Sequence, residues 1–420
     1  MKVLIEAYSC EPGEGSEKGV GWNVVCHLAS GFQHQLAVIT RSKNKEKIER
    51  EEDPRVQTVD WIFVEPPACF AWVKQRGSIG LRVYNLLWQR EMKKAATLYL
   101  ESHEVDVLHR LTFGSILPPS LLAGFNHPLV VGPAGGAEMS PSELVKDLPL
   151  RLWLKDRIRA VLFRFGSWLP STRKAYRSCE VALGATDASV AAFKRLGASM
   201  ARLVPQSGCG DDEVEAFARS NPVNAIPPGG SVKLLTACRL VHWKAIDLAI
   251  EAVKKAVENG TDVELTILGS GPERKTLEAK VAQYGLTGQI QFAGKLPTLE
   301  DVYQLMRSCD ALIHPALNEA FGQAVLESLA LGRQVICLDW AGPGMIVTDQ
   351  CGIKVKPGSR EEVVSGLAGA ISSLPARRLN WEELQEEAIK RSKAFSWQRL
   401  AGEVDQAYRD SVGNGDENPT

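Results

Sequence analysis

The chain has 420 residues, more than one hydrophobic core usually organises, and this length predicts two or three domains. Hydrophobic residues make up 45% of the chain and charged residues 24%, so the composition excludes a largely disordered protein. The formal net charge of -1 excludes a globally basic nucleic-acid-binding protein, and we expect no nucleic-acid partner.

The cysteines and the N-terminus indicate a cytoplasmic protein. Nine cysteines are scattered without a C-x-x-C pair, and an odd number cannot close completely into disulfides within the chain, so we expect reduced thiols. The first apolar run, MKVLIEAYSC, is too short for a signal peptide and is soon interrupted by Glu6 and Glu11. No run reaches the roughly 18 apolar residues of a membrane-spanning helix.

The first half of the chain alternates strand-length apolar runs with helical stretches. The runs are continuously apolar, which is typical of parallel strands covered on both faces. Residues 140–180 are helical, aromatic and basic, and two further strands follow them. The predicted strands are KVLIEAY, HQLAVIT, VDWIFV, VDVLHRL, HPLVVGP, SCEVALGAT and ARLVPQSG.

A second alternating series begins after the polar stretch SNPVNAIPPGGS at 220–231. Its predicted strands are VKLLTACRL, VELTILGSG, IQFAGKL, DALIHPA and QVICLDW. We therefore predict an α/β protein with two tandem, doubly wound Rossmann-like domains. Ligands of open parallel sheets bind beyond the carboxyl ends of the strands, so we expect the site in a cleft between the domains.

The predicted division places an N-terminal, acceptor-side domain at 1–205 and a C-terminal, nucleotide-sugar-binding domain at 206–394. A helix at 395–412 is expected to pack back on the first domain, and the tail at 413–420, which ends in GNGDENPT, is expected to be disordered.

The first of three candidate phosphate-binding segments is CEPGEGSEKGVGWN, a glycine-rich turn between a strand and a helix. Glycines at this place let backbone amides approach an anion. Lys18 stands where a dinucleotide fingerprint would have its third glycine, and the segment does not match a Walker A loop either. A plain strand-to-helix turn is an equally good interpretation.

The second candidate is ACRLVHWKAID, where Arg239 and Lys244 follow a predicted strand and precede a helix. Two cations at the carboxyl end of a strand can clamp a diphosphate, Arg through its fork and Lys as a point charge. The alternative is a pair of solvated surface cations.

The third candidate is HPALNEAFGQAVLE, which joins a buried strand to a helix. Gly322 allows a ligand to approach the backbone, and the first helical turn carries the positive end of the helix dipole. Glu319 can accept hydrogen bonds from hydroxyl groups just outside that turn, and Glu327 lies two turns into the helix. We expect His314 to be a buried strand-end histidine rather than a ligand.

Together these segments resemble the retaining family 4 glycosyltransferases of the GT-B fold, the bacterial exopolysaccharide and glycoconjugate type. The resemblance rests on CRLVHWKAIDLAIEA, on ILGSGPERKTLEAKVAQYGL with IQFAGKLP, and most specifically on IHPALNEAFGQAVLESLALG. It extends over nearly all of residues 1–412 and is stronger in the C-terminal half. It implies transfer of a sugar from a nucleotide diphosphate donor, with retention at the anomeric carbon and without a metal or another cofactor.

The resemblance also implies roles for individual residues. Arg239 and Lys244 match the pair that binds the donor diphosphate, Glu319 the glutamate that faces the sugar hydroxyls, and Glu327 the ribose ligand. His109 resembles a histidine that contacts the donor sugar in some members. The other implied donor-binding positions are Gly19, Gly21, Gly269, Gly271, Lys295, Leu296, Phe321 and Gly322.

The sequence departs from the family pattern at three positions. Ala320 stands where Gly or Pro is common, Gln334 replaces a proline, and Met345 stands where a glutamate often follows the glycine pair. The last change affects the contact with the donor sugar.

Three alternative functions remain open. A nicotinamide-dependent oxidoreductase would explain two α/β domains but lacks the glycine fingerprint and its acidic partner. A sugar-nucleotide epimerase or a phosphorylase on the same fold is a closer alternative, and a non-catalytic nucleotide-sugar-binding subunit is another. Glu319 and His109 favour an active hexosyltransferase. We expect no metal, because no Asp or His cluster has the spacing of metal ligands.

Residues 151–177 form a basic and aromatic segment with eight Lys and Arg residues and one acid, Asp156. Such a segment can lie in a membrane interface, with its cations near anionic headgroups. The alternative is a pair of core helices whose arginines extend to solvent. The membrane interpretation predicts peripheral binding on the inner face of the membrane and a lipid-linked acceptor, and otherwise the acceptor is a glycan.

Overall fold

The computed structural model describes residues 1–209, 217 and 230–413. The predicted tail at 413–420 lies outside the described residues except for Gly413, and the polar stretch at 220–231 lies outside them except for Gly230 and Ser231. The chain divides into two compact units, Met1–Ala137 with Val161–Gly208 and Trp397–Thr420, and Glu138–Ala160 with Cys209–Ser396.

The strands form two parallel sheets, one in each unit. In chain order they are β1 (Lys2–Ala7), β2 (Gln35–Arg41), β3 (Asp60–Val64), β4 (Val107–Thr112), β5 (Leu129–Ala134), β6 (Val181–Gly184), β7 (Met200–Leu203), β8 (Val232–Ala237), β9 (Val263–Leu268), β10 (Ile290–Gly294), β11 (Ala311–His314), β12 (Gln334–Leu338) and β13 (Gly352–Val355).

The helices connect these strands. In chain order they are α1 (Ser16–Gly31), α2 (Lys45–Glu49), α3 (Gly77–Ser102), α4 (Ser142–Lys146), α5 (Leu150–Trp168), α6 (Pro170–Arg177), α7 (Asp187–Leu196), α8 (Ile246–Glu258), α9 (Arg274–Gln283), α10 (Leu299–Arg307), α11 (Gln323–Ala330), α12 (Ala341–Ile346), α13 (Arg360–Arg377), α14 (Trp381–Lys393) and α15 (Trp397–Gly413).

Both sheets have the doubly wound strand order. The first runs β3-β2-β1-β4-β5-β6-β7 and the second β10-β9-β8-β11-β12-β13, with parallel registers such as Leu4 opposite Leu108 and Leu234 opposite Ala311. Each sheet therefore has one topological switch point, between β1 and β4 in the first unit and between β8 and β11 in the second. The prediction of two tandem Rossmann-like domains is confirmed.

Apolar residues cover both faces of each sheet, as the continuous apolar strands require. In the second unit α8 contributes Ile246, Ile250 and Val253 to one face, and α11 contributes Val325 and Leu329 to the other. Local signals fix the helix ends: Ser359 begins α13 in a capping box with Glu362, and Gly197 ends α7 in a left-handed conformation.

The segment Glu138–Ala160 belongs to the second unit, whereas the sequence-based division assigned all of 1–205 to the first. Leu144 is 2% exposed within the core that α8 covers, and Arg360 donates its backbone N–H to Asp147. These contacts join residues far apart in sequence, which the local patterns of the segment do not indicate.

Candidate functional site

The loop after β8 carries Arg239 and Lys244. The chain makes a short 3₁₀ turn at His242–Lys244, and Ala245 then adopts a left-handed φ of 50° before α8 begins. This turn leaves the Lys244 side chain 16% exposed, whereas Arg239 is largely exposed to solvent. Both predicted cations therefore lie at the carboxyl edge of the second sheet, next to its switch point.

The loop after β11 carries Glu319 and leads to α11. The amide of Leu317 donates to the carbonyl of Trp243 at 2.8 Å, which ties this loop to the β8 loop, and the amide of Gly342 donates to the carbonyl of Glu319 at 3.0 Å. Gly322 begins α11 with a φ of 103°, a conformation that favours glycine. Phe321 is buried, so the positions of Glu319 and the helix start are fixed from both sides.

Lys244 and Glu319 meet as an ion pair between Nζ and Oε2, although 75 residues separate them in sequence. Burial lowers the pKa of the Lys244 ammonium, with the Cys238 thiol opposing this shift and Arg239 acting in the same direction as burial. A partly buried cation with a carboxylate as its counter-ion is a site where another anion can replace that carboxylate.

His314 lies directly beneath this pair, at the end of β11. Its Nε2 is 3.5 Å from Oε2 of Glu319, and neither ring nitrogen has a hydrogen-bond partner among the described residues. The side chain is 2% exposed, and burial together with Lys244 holds the pKa of His314 well below its usual range. The imidazole is therefore neutral at physiological pH and has one N–H that no described group accepts.

The predicted glycines of the nucleoside region bring two loops together. Gly269 follows β9 with a φ of 132°, and its amide donates to the carbonyl of Gly294 at 2.6 Å. A Cβ at Gly269 would collide with the carbonyl of Cys238, and one at Gly271 with that of Leu240. Only glycine therefore allows this turn to lie against the backbone that flanks Arg239.

The remaining predicted residues of the second unit lie around the same edge. Lys295 and Leu296 follow β10, the edge strand beyond β9, with Lys295 exposed and Leu296 partly buried. Glu327 is half-buried in the second turn of α11.

Two polar residues that the sequence patterns did not indicate hold the segment Glu138–Ala160 at this edge. Asn318, next to Glu319, donates its side-chain amide to the carbonyl of Glu138 at 2.6 Å, and the indole N–H of Trp340 donates to the carbonyl of Met139 at 3.0 Å. The only sequence signal was their position a few residues after the ends of β11 and β12.

The predicted residues of the first unit are placed differently. His109 is fully buried in β4, where Nε2 lies 2.7 Å from the carbonyl of Gly132 and Nδ1 2.7 Å from the hydroxyl of Tyr408. A carbonyl only accepts, so Nε2 carries the proton and Nδ1 accepts from Tyr408. Burial lowers the pKa of His109 to about 4. Both nitrogens are occupied, so the structure does not support the predicted contact of His109 with a donor sugar.

Gly19 and Gly21 lie within α1 rather than in a loop. A Cβ at Gly19 would collide with the carbonyl of Glu14, and one at Gly21 with that of Ser9. These glycines therefore allow the preceding loop to pack closely against the helix, and their predicted contact with a diphosphate stays a prediction.

In the part of the chain that the structure describes, no three His, Cys, Asp or Glu side chains come together as metal ligands. Nor does any described helix have the length and apolarity that crossing a membrane requires.

Comparison with known proteins assigns a family to this site. Residues 221–393 match the family described as glycosyl transferases group 1. A GDP-mannose-dependent α-(1-6)-phosphatidylinositol dimannoside mannosyltransferase from Mycobacterium tuberculosis is 33% identical over 172 residues, which are 41% of this chain and 42% of that protein. Residues 221–393 are a group 1 glycosyl transferase region.

Solved glycosyltransferase structures match nearly the whole chain. Sucrose-phosphate synthase from Thermosynechococcus elongatus matches with a TM-score of 0.69 and 18% identity, covering 98% of this chain and 99% of the other. HepE from Anabaena in complex with UDP and glucose matches with a TM-score of 0.58 and 17% identity, covering 97% and 99%. The fold is GT-B, and over residues 221–393 the family match confirms the predicted resemblance to glycosyltransferases.

The curated relatives match over a limited length. The matched region of the glycosyltransferase from Mycobacterium tuberculosis is less than half of that protein. The matched family region, 221–393, includes Arg239, Lys244, His314, Glu319 and Glu327.

Proposed function

We propose that this group 1 glycosyltransferase moves a hexose from a nucleoside diphosphate donor to a hydroxyl group of a glycan or lipid-linked acceptor. The observation that carries this proposal is the ion pair of Lys244 and Glu319, which brings a diphosphate-binding type of side chain and a hydroxyl-binding type to one switch point. Because ligands of doubly wound sheets bind at such a point, the second unit holds the donor.

Lys244 and Arg239 bind the diphosphate in this mechanism. As the bond between the anomeric carbon and the phosphate oxygen breaks, negative charge gathers on the leaving group, and fixed cations stabilise it. The start of α11, opened by Gly322, adds the positive end of a helix dipole. These groups supply the charge that a metal ion supplies in other phosphate sites, so we propose transfer without a metal.

Glu319 changes partners when the donor binds. The incoming diphosphate replaces its carboxylate as the counter-ion of Lys244, which frees Glu319 to accept hydrogen bonds from sugar hydroxyls. His314 has its Nε2 3.5 Å from Oε2 of Glu319, so in the tautomer protonated at Nε2 it donates to that carboxylate and holds its new position. Glu327 binds the ribose, and the turn at Gly269 and Gly271, packed against the backbone that flanks Arg239, lies beside the nucleoside.

Transfer proceeds with retention by attack on the same face that the diphosphate leaves. The acceptor oxygen forms its bond to the anomeric carbon, the carbon–oxygen bond to the phosphate breaks, and the acceptor proton moves to a leaving phosphate oxygen. The relatives favour a lipid-linked acceptor, because the mycobacterial glycosyltransferase is named for a phosphatidylinositol dimannoside. With such an acceptor the enzyme works as a peripheral protein at the inner face of the membrane.

A thermal-shift screen against nucleoside diphosphates and their sugars tests the donor. A ligand that binds only the folded protein raises the melting temperature. The increase grows with the ratio of the ligand concentration to its dissociation constant. At least one nucleoside diphosphate should stabilise the wild type and leave Lys244→Ala unshifted. Loss of the shift on adding a chelator would contradict metal-independent binding.

Product analysis with an isotopically labelled donor separates the alternative reactions. A transferase yields a labelled glycan or lipid with the donor's anomeric configuration, whereas an epimerase yields an altered nucleotide sugar and a phosphorylase a sugar phosphate. An inverted anomeric configuration in the product would contradict retention. Binding without turnover for every acceptor class would instead indicate a nucleotide-sugar-binding subunit.

A further inference from the structure

The helix α5 has an unusual apolar face, which is exposed to solvent instead of buried. No residue of α5 is fully buried, so the interpretation of this helix as a core element is wrong. Large apolar side chains recur along it at helical spacing, and most of them are at least half exposed. They are Leu154 (50%), Ile158 (49%), Val161 (62%), Leu162 (49%), Phe165 (65%) and Trp168 (76%).

Basic residues without counter-ions surround the end of this apolar stripe. Within the described part of the chain, no carboxylate lies at ion-pair distance from Arg164, Arg173, Lys174 or Arg177. Other exposed cations of the protein do have a carboxylate partner, as Lys94 has in Glu91 and Lys146 in Glu143. The end of α5 and the following helix α6 therefore present a local positive charge on a chain whose net charge is -1.

A cavity lies where the stripe and the cations meet. Its volume is about 530 Å³, and it is lined by Trp168, Pro170, Arg173, Lys174 and Arg177. Pro170 begins α6 at a position that proline favours, and this sharp change of direction after Trp168 opens the cavity between the two helices. The lining combines three cations, an indole ring and no acid.

We infer that this cavity binds the phosphate of an anionic phospholipid and that α5 docks the protein on a membrane surface. The cations bind the headgroup phosphate through charge-assisted hydrogen bonds. Phe165 and Trp168 enter the membrane–water interface, where aromatic rings are favoured. The apolar face of α5 lies in the boundary region of one leaflet, as amphipathic interfacial helices do. No group of the donor site takes part.

The charges favour a lipid surface over a second copy of this chain. A dimer through the same face would need carboxylates opposite Arg164, Arg173, Lys174 and Arg177, and Asp156 is the only acid within 151–177. Asp156 already accepts a hydrogen bond from Ser140 at 2.9 Å. An anionic membrane supplies both the charge and the apolar layer that this surface lacks.

Vesicle co-sedimentation tests the inference, with full-length protein and vesicles of phosphatidylcholine with or without phosphatidylglycerol. The wild type should bind the anionic vesicles, and binding should weaken as salt rises from about 0.1 M to about 0.5 M. The triple variant Arg173→Gln, Lys174→Gln, Arg177→Gln should partition about 100-fold less, since each cation near an anionic surface contributes about fivefold. Phe165→Ser with Trp168→Ser should also reduce binding, including at high salt.

Matched controls separate this site from general charge and from the donor site. A control triple variant removes three exposed cations elsewhere in the first unit and should bind vesicles as the wild type does. Its changes are Lys45→Gln, Arg50→Gln and Lys94→Gln. Lys244→Ala should also bind vesicles as the wild type does. If the proposal for the donor site is wrong, the expected vesicle binding is therefore unchanged. Circular dichroism checks that each variant is folded.

Two outcomes would overturn the inference. One is equal binding of the wild type and the cavity triple variant to anionic vesicles. The other is no binding of the wild type to anionic vesicles at low salt. If the same protein also forms a dimer in sedimentation velocity that Phe165→Ser with Trp168→Ser dissociates, that result assigns the surface to a second copy of the chain.

Discussion

The two switch points of this protein share a topology but differ in what fills them. In the first unit the loops after β1 and β4 are joined by protein groups: Thr112 Oγ accepts from the amide of Ser9 at 2.9 Å, and the amide of Gly114 donates to Glu17. In the second unit the corresponding loops bring Lys244 to Glu319, beside His314, whose ring nitrogens have no hydrogen-bond partner among the described residues. The same strand order thus produces one junction whose loops are joined by hydrogen bonds within the protein and one junction with exchangeable charge.

The two strand histidines show the difference most directly. His109 lies in β4 and His314 in β11, the strands that occupy equivalent places in their sheets. Burial depresses the pKa of both, so both are neutral. His109 has both nitrogens bonded to Tyr408 and Gly132, whereas His314 has neither bonded and faces a carboxylate. A histidine's role therefore follows from its partners rather than from its place in the fold.

The largest expected effect is the loss of transfer when a cation of the second switch point is removed. Lys244→Ala and Arg239→Ala should each lower kcat/KM by about 30- to 1,000-fold, because a charge-assisted contact to a phosphate contributes about 2 to 4 kcal/mol. Lys254→Ala, which removes an exposed cation on α8 of the same unit, is the matched control and should retain wild-type kinetics. Near wild-type turnover in both site variants would defeat the assignment.

A second prediction concerns His109, whose effect should appear in stability. Its folded pKa of about 4 lies below its ordinary value of 6.5, so the unfolded chain takes up a proton first as the pH falls. The stabilisation is complete above pH 6.5 and is lost toward pH 4, by about 3 kcal/mol in all. Urea titrations should show the gap in unfolding free energy between the wild type and His109→Gln narrowing over this range.

The kinetics of the His109→Gln variant test whether the two strand histidines differ in role. If His109 is structural, the folded variant should keep its kcat and its KM for the donor at neutral pH. A fall in kcat with unchanged stability would instead support the predicted contact of His109 with the donor sugar.

The third prediction concerns the different roles of Glu319 and Glu327 at the second switch point. Glu319→Ala should lower kcat by about tenfold or more, since its contacts to the sugar strengthen in the transition state, while Glu327→Ala should mainly raise the KM for the donor. Steady-state kinetics with varied donor concentration measures both. Parallel changes in the two variants would show that this division of roles is wrong.

Sequence patterns predicted the fold well because each strand is a continuous apolar run that can be recognised without knowledge of its neighbours. The alternating series and the polar stretch near 220–231 were sufficient to predict two doubly wound sheets, and continuous apolarity indicated parallel strands. The placement of Glu138–Ala160 in the second unit was not predictable in this way. It depends on the hydrogen bonds from Asn318 and Trp340 and on the burial of Leu144, which link distant parts of the chain.

The site was predicted in part. Arg239, Lys244, Glu319 and Gly322 were identified because they follow strands whose carboxyl ends meet at one edge. The patterns could not show that Lys244 and Glu319 pair with each other, because a pair 75 residues apart is set by the register of β8 and β11. They also could not distinguish His109 from His314, since Tyr408 reaches His109 from the far end of the chain.

Calorimetric titration of nucleoside diphosphates into the wild type, Glu319→Gln and Lys244→Ala tests the central claim most directly. If Glu319 is the counter-ion that the diphosphate replaces, Glu319→Gln should bind the nucleoside diphosphate roughly 5-fold more tightly, because a partly exposed ion pair contributes about 1 kcal/mol. Lys244→Ala should bind it at least about 30-fold more weakly. Equal affinity in all three proteins, or no binding of any nucleoside diphosphate, would contradict a donor site at the second switch point.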